Sequence, residues 1–127
     1  MITEFMNIPR KLTTSFSTAD ADFPEIHQID GDLIIRFKDW QELNVGVFFA
    51  DPIAFKWQMA DNFYKGERDD CCYEIIKSSW ISEHIKQGEI SETEEYHHYK
   101  FNFNTCGQLE VLAISYTEID SSKDDVV

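Results

Sequence analysis

The chain has 127 residues, of which 43% are hydrophobic and 14% aromatic, and this is enough apolar material to fill one core. Its formal net charge is −13, from 24 acidic and 11 basic residues. A field of this sign repels phosphate backbones and anionic lipids, so we expect no direct binding to nucleic acid or to a membrane. It attracts a basic protein partner, although acidic proteins also carry such a charge for solubility alone.

No apolar run approaches the roughly 18 residues that a transmembrane helix needs. The first residues, MITEFMNIPRKLTTSF, contain no apolar run of signal-peptide length. We therefore expect a cytoplasmic protein whose three cysteines, Cys71, Cys72 and Cys106, stay reduced and serve as small apolar side chains. Cys106 precedes Gly107 in a turn, which predicts an accessible thiol, but the acidic setting argues against a catalytic one.

Residues 1–127 are predicted to form a single domain. Residues 1–22 show no sustained helical stripe, and we interpret them as an irregular or short-strand arm that packs against the body. The first clear element is a hairpin in which two apolar runs flank Asp30-Gly31-Asp32. Asp-Gly between such runs is a strong hairpin signal because Gly accepts the positive φ of a tight turn.

A further strand is predicted at 43–49, where Gly46 suggests a bulge or a close backbone approach. Residues 50–60, ADPIAFKWQMA, alternate as in a strand, and a helix that starts at Pro52 is the competing interpretation. Residues 61–70 are polar and predict a loop, and a short strand is predicted to leave it.

Residues 78–87, SSWISEHIKQ, are the best helix candidate. Either serine at its start can cap the free amides, and Gly88 supplies a stop. The apolar stripe of this segment predicts that Trp80 and Ile85 lie in the core.

A closing hairpin is predicted for the last third of the chain. Tyr99, Phe101 and Phe103 alternate with polar residues, the two-residue period of a strand with one buried face. The second arm, 109–114, is apolar on both faces and so belongs inside a sheet. The fold expected is α+β, with a predominantly antiparallel, curved sheet of about six or seven strands and one main helix (78–87); an open barrel is the alternative. Residues 120–127 are predicted to be a disordered acidic tail.

The acidic run before the closing hairpin is the predicted partner-binding site. It carries four glutamates and no base, and a tyrosine that could anchor a partner follows it. The residues concerned are Glu89, Glu92, Glu94, Glu95 and Tyr96. The competing interpretation is a solvated connection with no binding role.

Three histidines define the alternative function, a small-ligand or metal-binding domain that uses a histidine-containing face of the sheet. They are His84, His97 and His98. Adjacent histidines in a strand point to opposite faces, and no H-x-H or H-E-x-x-H spacing is present. No metal site is therefore predicted as the leading interpretation.

No Gly-rich phosphate loop, nucleophile elbow or distinct carboxylate pair stands out, so we expect neither an enzyme nor a bound cofactor. An exposed edge strand could instead pair with a second copy, which leaves a homo-oligomer open.

The segment from Phe48 to Ala113 resembles a group of small uncharacterised bacterial proteins. The shared features are a Ser79-Trp80-Ile81 helix start, a His98-Tyr99 strand and a closing strand with the sequence Leu-Glu-Val-Leu-Ala at 109–113. Proteins of this group look like cytoplasmic immunity proteins encoded beside polymorphic or contact-dependent toxins. The resemblance implies a module that neutralises a basic toxin domain such as a nuclease, and it assigns no individual binding residue.

Overall fold

The computed structural model describes residues 6–119; residues 1–5 and the predicted acidic tail, 120–127, lie outside the described residues. The described range contains nine strands and one helix: β1 (Ile8–Lys11), β2 (Glu25–Ile29), β3 (Asp32–Lys38), β4 (Asn44–Phe49), β5 (Ala54–Gln58), β6 (Cys72–Ile76), α1 (Ser79–Lys86), β7 (His97–Phe103), β8 (Gly107–Ala113) and β9 (Thr117–Ile119). The predicted α+β class, with antiparallel strands and one main helix, is confirmed.

The strands form two sheets rather than one. A five-stranded sheet has the order β1-β6-β7-β8-β5, and a four-stranded sheet has the order β2-β3-β4-β9. All neighbouring strands pair antiparallel. The sheets pack face to face over one hydrophobic core, in which Phe37 meets Phe103 with ring centroids 5.0 Å apart and Phe49 meets Phe101 at 5.8 Å.

Local signals explain the four-stranded sheet. Asp30 and Gly31 both have positive φ, 50° and 87°, as the turn between β2 and β3 requires. Leu33, Ile35 and Phe37 are buried in alternation along β3, which confirms the predicted hairpin. Gly46 pairs with Arg36 in an unbroken register, so the bulge predicted there is not present in β4.

The five-stranded sheet places the closing hairpin at its centre. β8 lies between β7 and β5, the interior position predicted for it. Residues 54–58 form a strand and not a helix. Gly107 is required where β8 begins, because a Cβ at this position would lie 2.3 Å from the carbonyl oxygen of Gln58.

The helix lies on the outer face of the five-stranded sheet. Ser78 is its N-cap and accepts a hydrogen bond from the amide of Ile81, and Gly88, with φ 79°, ends it. The prediction that Trp80 and Ile85 lie in the core is wrong, since both are only half-buried. The physical reason is that the apolar core lies between the sheets, whereas Trp80 packs on His98 with ring centroids 5.2 Å apart.

The N-terminal arm contributes one strand to the five-stranded sheet and leads to the four-stranded sheet. β1 pairs with β6, and the chain then crosses to the four-stranded sheet. Phe16, in this crossing, packs against Phe37 and Phe101. Among residues 6–119, no helix has the length and apolar character needed to cross a membrane.

Candidate functional site

The predicted partner-binding residues lie in the loop that joins α1 to β7. Ile90 in this loop is buried, and the Glu94 carboxylate accepts a hydrogen bond from the Ser91 amide at 2.7 Å. The loop is therefore anchored to the body and has a defined turn. All four of its glutamates are exposed, and the tyrosine that follows them is half-buried: Glu89, Glu92, Glu94, Glu95 and Tyr96.

Glu89 is set apart from the other four predicted residues. Its carboxylate is hydrogen-bonded to the Nδ1 atom of His84, at the end of the helix. The carboxylate of Glu89 thus has a partner within the chain, on α1.

A carboxylate from another segment lies beside Tyr96. Burial raises the pKa of the Tyr96 phenol, and the negative charges of Glu94 and Asp51 raise it further. The amide of Asp51 donates to Asp32 Oδ1 at 2.9 Å, which connects this region to the turn between β2 and β3. We call this surface the acidic end, defined as Asp30, Asp32, Asp51, Glu92, Glu94, Glu95 and Tyr96.

The acidic end is assembled from three stretches of chain, residues 29–33, 50–54 and 89–96, none of which contains a lysine or arginine. Sequence reasoning included only the third. Asp30 falls in the predicted turn and Asp51 in the segment 50–60, which alternates as in a strand, and both residues have a positive φ, of 50° and 45°. The missing signal was strand pairing: once Leu33 is placed opposite Phe49, Asp51 must lie beside the turn at Gly31.

The three histidines do not come together. His84 bonds to Glu89, His97 to Glu74, and His98 to Glu110. Within residues 6–119, no three or more His, Cys, Asp or Glu side chains are placed to hold one metal ion. Each imidazole therefore faces its own carboxylate, and the histidine-containing face offers no shared metal centre in the part of the chain described.

A buried polar network lies on the outer face of β7 and β8. The first arm of the closing hairpin was predicted to have one buried face, and this is wrong, because α1 and the loop at 59–70 cover the second face. Five polar side chains there are at most 2% exposed: His98, Lys100, Asn102, Gln108 and Glu110. They are paired with one another and with the covering elements.

The first part of the network joins the helix to the sheet. Ser78 Oγ lies 2.7 Å from His98 Nδ1, and His98 Nε2 lies 2.7 Å from Glu110 Oε1. Because Ser78 Oγ accepts the Ile81 amide, its own proton is free to donate to Nδ1, and Nε2–H then donates to Glu110. This order of hydroxyl, imidazole and carboxylate also occurs in hydrolases, but all three residues are buried here and the serine caps a helix. The arrangement links the start of α1 to β7 and β8.

The second part joins the loop at 59–70 to the sheet. The Glu67 carboxylate accepts from Lys100 Nζ at 2.9 Å and from Asn102 Nδ2 at 2.8 Å. Lys100 also donates to the Asn62 carbonyl and lies 4.7 Å from the centre of the Tyr64 ring. In residues 6–119, the buried side-chain atoms without a hydrogen-bond partner are Asn102 Oδ1 and the three guanidinium nitrogens of Arg36, in the other sheet.

Burial and nearby charges shift the pKa values of Glu110 and Tyr64. Burial alone raises the pKa of Glu110, but the hydrogen bond from His98, together with the charges of Lys56 and Lys100, outweighs it and holds this pKa below its usual range. Burial, with the negative charges of Glu110 and Glu67, raises the pKa of Tyr64 to about 12. Glu110 is thus ionised, and Tyr64 is a neutral donor, at neutral pH.

A polar groove of about 360 Å³ lies above this network. Trp80 and Tyr64 line it and also pack on the His98 ring, with centroid distances of 5.2 and 6.3 Å. Lys56 lines the same groove and lies 4.4 Å from the centre of the Trp80 ring. The groove therefore presents aromatic rings and an ammonium group over the buried imidazole.

The cysteines are free thiols. Cys106 is buried, with its Sγ 3.8 Å from the Ala21 carbonyl oxygen, so the predicted accessible thiol is wrong. The reason is that the N-terminal arm packs over the turn between β7 and β8. Burial also raises the pKa of Cys72 to about 12.

Comparison with models of known protein families, with curated proteins and with solved structures finds no match to this chain.

Proposed function

We propose that this chain is a cytoplasmic protein-binding module of the immunity type, which neutralises a basic toxin domain such as a nuclease. The observation that carries the proposal is the acidic end, where three separate stretches of chain bring carboxylates to one surface around Tyr96. Like charges repel, so gathering them costs folding free energy, and a binding role explains why they are kept together.

The proposed mechanism is occlusion. A nuclease site binds phosphates through lysine and arginine side chains, and exposed carboxylates can take the place of those phosphates. Glu92, Glu94 and Glu95 would contact the basic groups, and Tyr96 would supply apolar area with few rotatable bonds. The net charge of −13 would speed the encounter, with a rate that falls as salt rises.

The resemblance of residues 48–113 to immunity-type proteins supports the same function independently of charge. Its motifs fall on elements that build the scaffold: the helix start at Ser79, the beginning of β7 and the whole central part of β8. The acidic end lies next to this scaffold, in the loop that enters β7.

Co-expression with the product of the adjacent gene tests the proposal. We expect the chain to co-purify with that product and to restore growth if the product is toxic. Changing Asp51→Asn together with Glu94→Gln should weaken the complex by at least about tenfold. The matched control, Asp61→Asn with Asp69→Asn, removes the same two charges from exposed positions elsewhere and should retain binding. If no complex forms and growth is not restored, the proposal is overturned.

A second candidate function, binding of a small ligand, is favoured by the groove above the polar network. Its two lysines, Lys56 and Lys86, and its aromatic walls suit a small anion that carries a ring. Titration of the purified protein with a small aromatic carboxylate tests this idea, and saturable binding that is lost on Lys56→Ala would favour it over protein binding.

A further inference from the structure

Four large apolar side chains among residues 6–119 are more than half exposed, and three of them lie at one end of the four-stranded sheet. Phe23 is 67% exposed, and Trp40 and Leu43 are each 59% exposed. The fourth, Met59, follows β5 in the other sheet. Single exposed apolar residues are ordinary on protein surfaces, but three large ones together mark a contact surface.

Hydrogen bonds fix the backbone that carries these side chains. The Asp39 amide donates to the Leu43 carbonyl at 3.0 Å, and Asp39 Oδ1 accepts the amides of Gln41 and Leu43 at 2.9 Å each. The Asp22 amide donates to the Lys38 carbonyl at 3.0 Å, which sets Phe23 beside the end of β3. The turn that carries Trp40 is thus ordered before any partner binds, and this lowers the entropic cost of binding.

The surroundings of these side chains are acidic. Leu43 lines a shallow cavity of about 260 Å³ together with the carboxylates Asp39 and Glu118. Residues 20–25 and 38–44 contain five acidic residues and one base, Lys38. The surface has an apolar centre with a carboxylate rim, and its complement is an apolar group flanked by cations.

We propose that this surface, called the Trp40 surface and defined as Phe23, Trp40 and Leu43, binds a basic protein segment. The segment would place an aliphatic or aromatic side chain against Trp40 and lysine or arginine side chains on the rim. A second copy of this chain does not fit, because one carboxylate rim would face another. Two molecules that each carry a net charge of −13 would also repel.

The Trp40 surface is separate from the acidic end. The two surfaces lie at opposite ends of β3, whose seven residues span about 20 Å. The Trp40 surface can therefore exist whether or not the acidic end binds a toxin, and the two can be tested separately.

The test uses the full-length chain and a library of random peptides displayed on phage. We expect selection to enrich peptides in which lysine or arginine flanks an apolar residue. Trp40→Ala should weaken their binding by at least about tenfold, as loss of a central anchor does. Met59→Ala, the matched control, removes the most exposed apolar side chain among those described and should change binding less than about twofold.

Each other outcome counts against the proposal. Selection without enrichment of basic residues, or with no binders at all, would overturn it, as would equal losses in the Trp40 and Met59 variants. Sedimentation that showed a dimer of the wild type, lost in Trp40→Ala, would assign the surface to a second copy instead. Asp51→Asn with Glu94→Gln should leave the selected peptides bound, so failure of the proposed toxin binding is a distinguishable result.

Discussion

At the residue scale, the unusual feature of this protein is a pair of buried carboxylates. The side chains of Glu67 and Glu110 are at most 1% exposed, and each has a cationic or imidazole partner at hydrogen-bond distance. An unpaired carboxylate in such a place would neutralise or destabilise the fold. Because both are paired, they fix the covering elements: Glu110 holds the helix through His98 and Ser78, and Glu67 holds the loop at 59–70.

The depressed pKa of Glu110 predicts a pH-dependent contribution to stability. A carboxylate whose pKa is lower in the folded chain stabilises the fold above its unfolded pKa of about 4.3, and this contribution disappears as pH falls through the folded pKa. We expect Glu110→Gln to lower the free energy of unfolding by about 1–3 kcal/mol at neutral pH. The difference from wild type should shrink as the pH falls below about 4.3, as measured by urea unfolding across that range.

Glu92→Gln is the control for this experiment, because Glu92 is exposed and lies outside the network. It should change the free energy of unfolding by less than about 0.5 kcal/mol at neutral pH. A difference between Glu110→Gln and wild type that stayed constant from neutral to acidic pH would contradict the assigned role of the Glu110 charge.

At the element scale, the loop at 59–70 acts as part of a third layer over the sandwich. It contributes Asn62, Tyr64 and Glu67 to the polar network, and the Glu67 carboxylate also accepts the Tyr64 amide within the loop itself. Few apolar contacts hold the loop, since its Met59 and Phe63 are exposed. The position of the loop over the sheet therefore depends more on the Glu67 carboxylate than on apolar packing.

Glu67→Ala is expected to release this loop. The change removes one acceptor each from Lys100 and Asn102 and leaves a buried ammonium without its carboxylate, so local opening becomes easier. Trypsin should cleave after Lys65 and Arg68 at least about tenfold faster than in wild type, since cleavage follows the population of the open form.

Asp69→Ala changes an exposed carboxylate in the same loop and provides the comparison. It should alter the cleavage rate by less than about twofold if Glu67 is the anchor. Equal rates for Glu67→Ala and wild type would mean that the loop is held by other contacts.

The elements themselves follow from local sequence, but the third layer does not. The turn at Asp30-Gly31 and the capped helix after Ser78 carry their signals within a few residues, and both form where they were predicted. Lys100, Asn102 and Glu110 look like an ordinary solvent-facing row, because nothing near them in sequence shows that residues 59–70 fold back over them. In the same way, Glu94 belongs to the acidic run that the sequence displays, whereas Asp51 comes close to the turn at Gly31 only through strand pairing.

At the scale of the whole molecule, the net charge has opposite effects on folding stability and on affinity for a basic partner. Carboxylates gathered at the acidic end repel one another and weaken the fold, whereas the same charges attract a basic partner. Salt screens both effects: between about 0.02 M and about 0.5 M the Debye length falls from roughly 20 Å to roughly 4 Å. Stability and partner affinity should therefore respond to salt in opposite directions.

We expect added sodium chloride over this range to raise the free energy of unfolding by an amount on the order of 1 kcal/mol. In Asp51→Asn with Glu94→Gln, repulsion at the acidic end is already reduced, so stability at low salt should rise and the gain from salt should shrink. The pair Asp61→Asn with Asp69→Asn alters the total charge equally and should shrink the gain less. Urea unfolding at both salt concentrations measures all three proteins. If the two pairs responded equally, the repulsion would come from the net charge of −13 as a whole. The acidic end would then not destabilise the fold more than other surfaces do, and this argument for a binding role would fail.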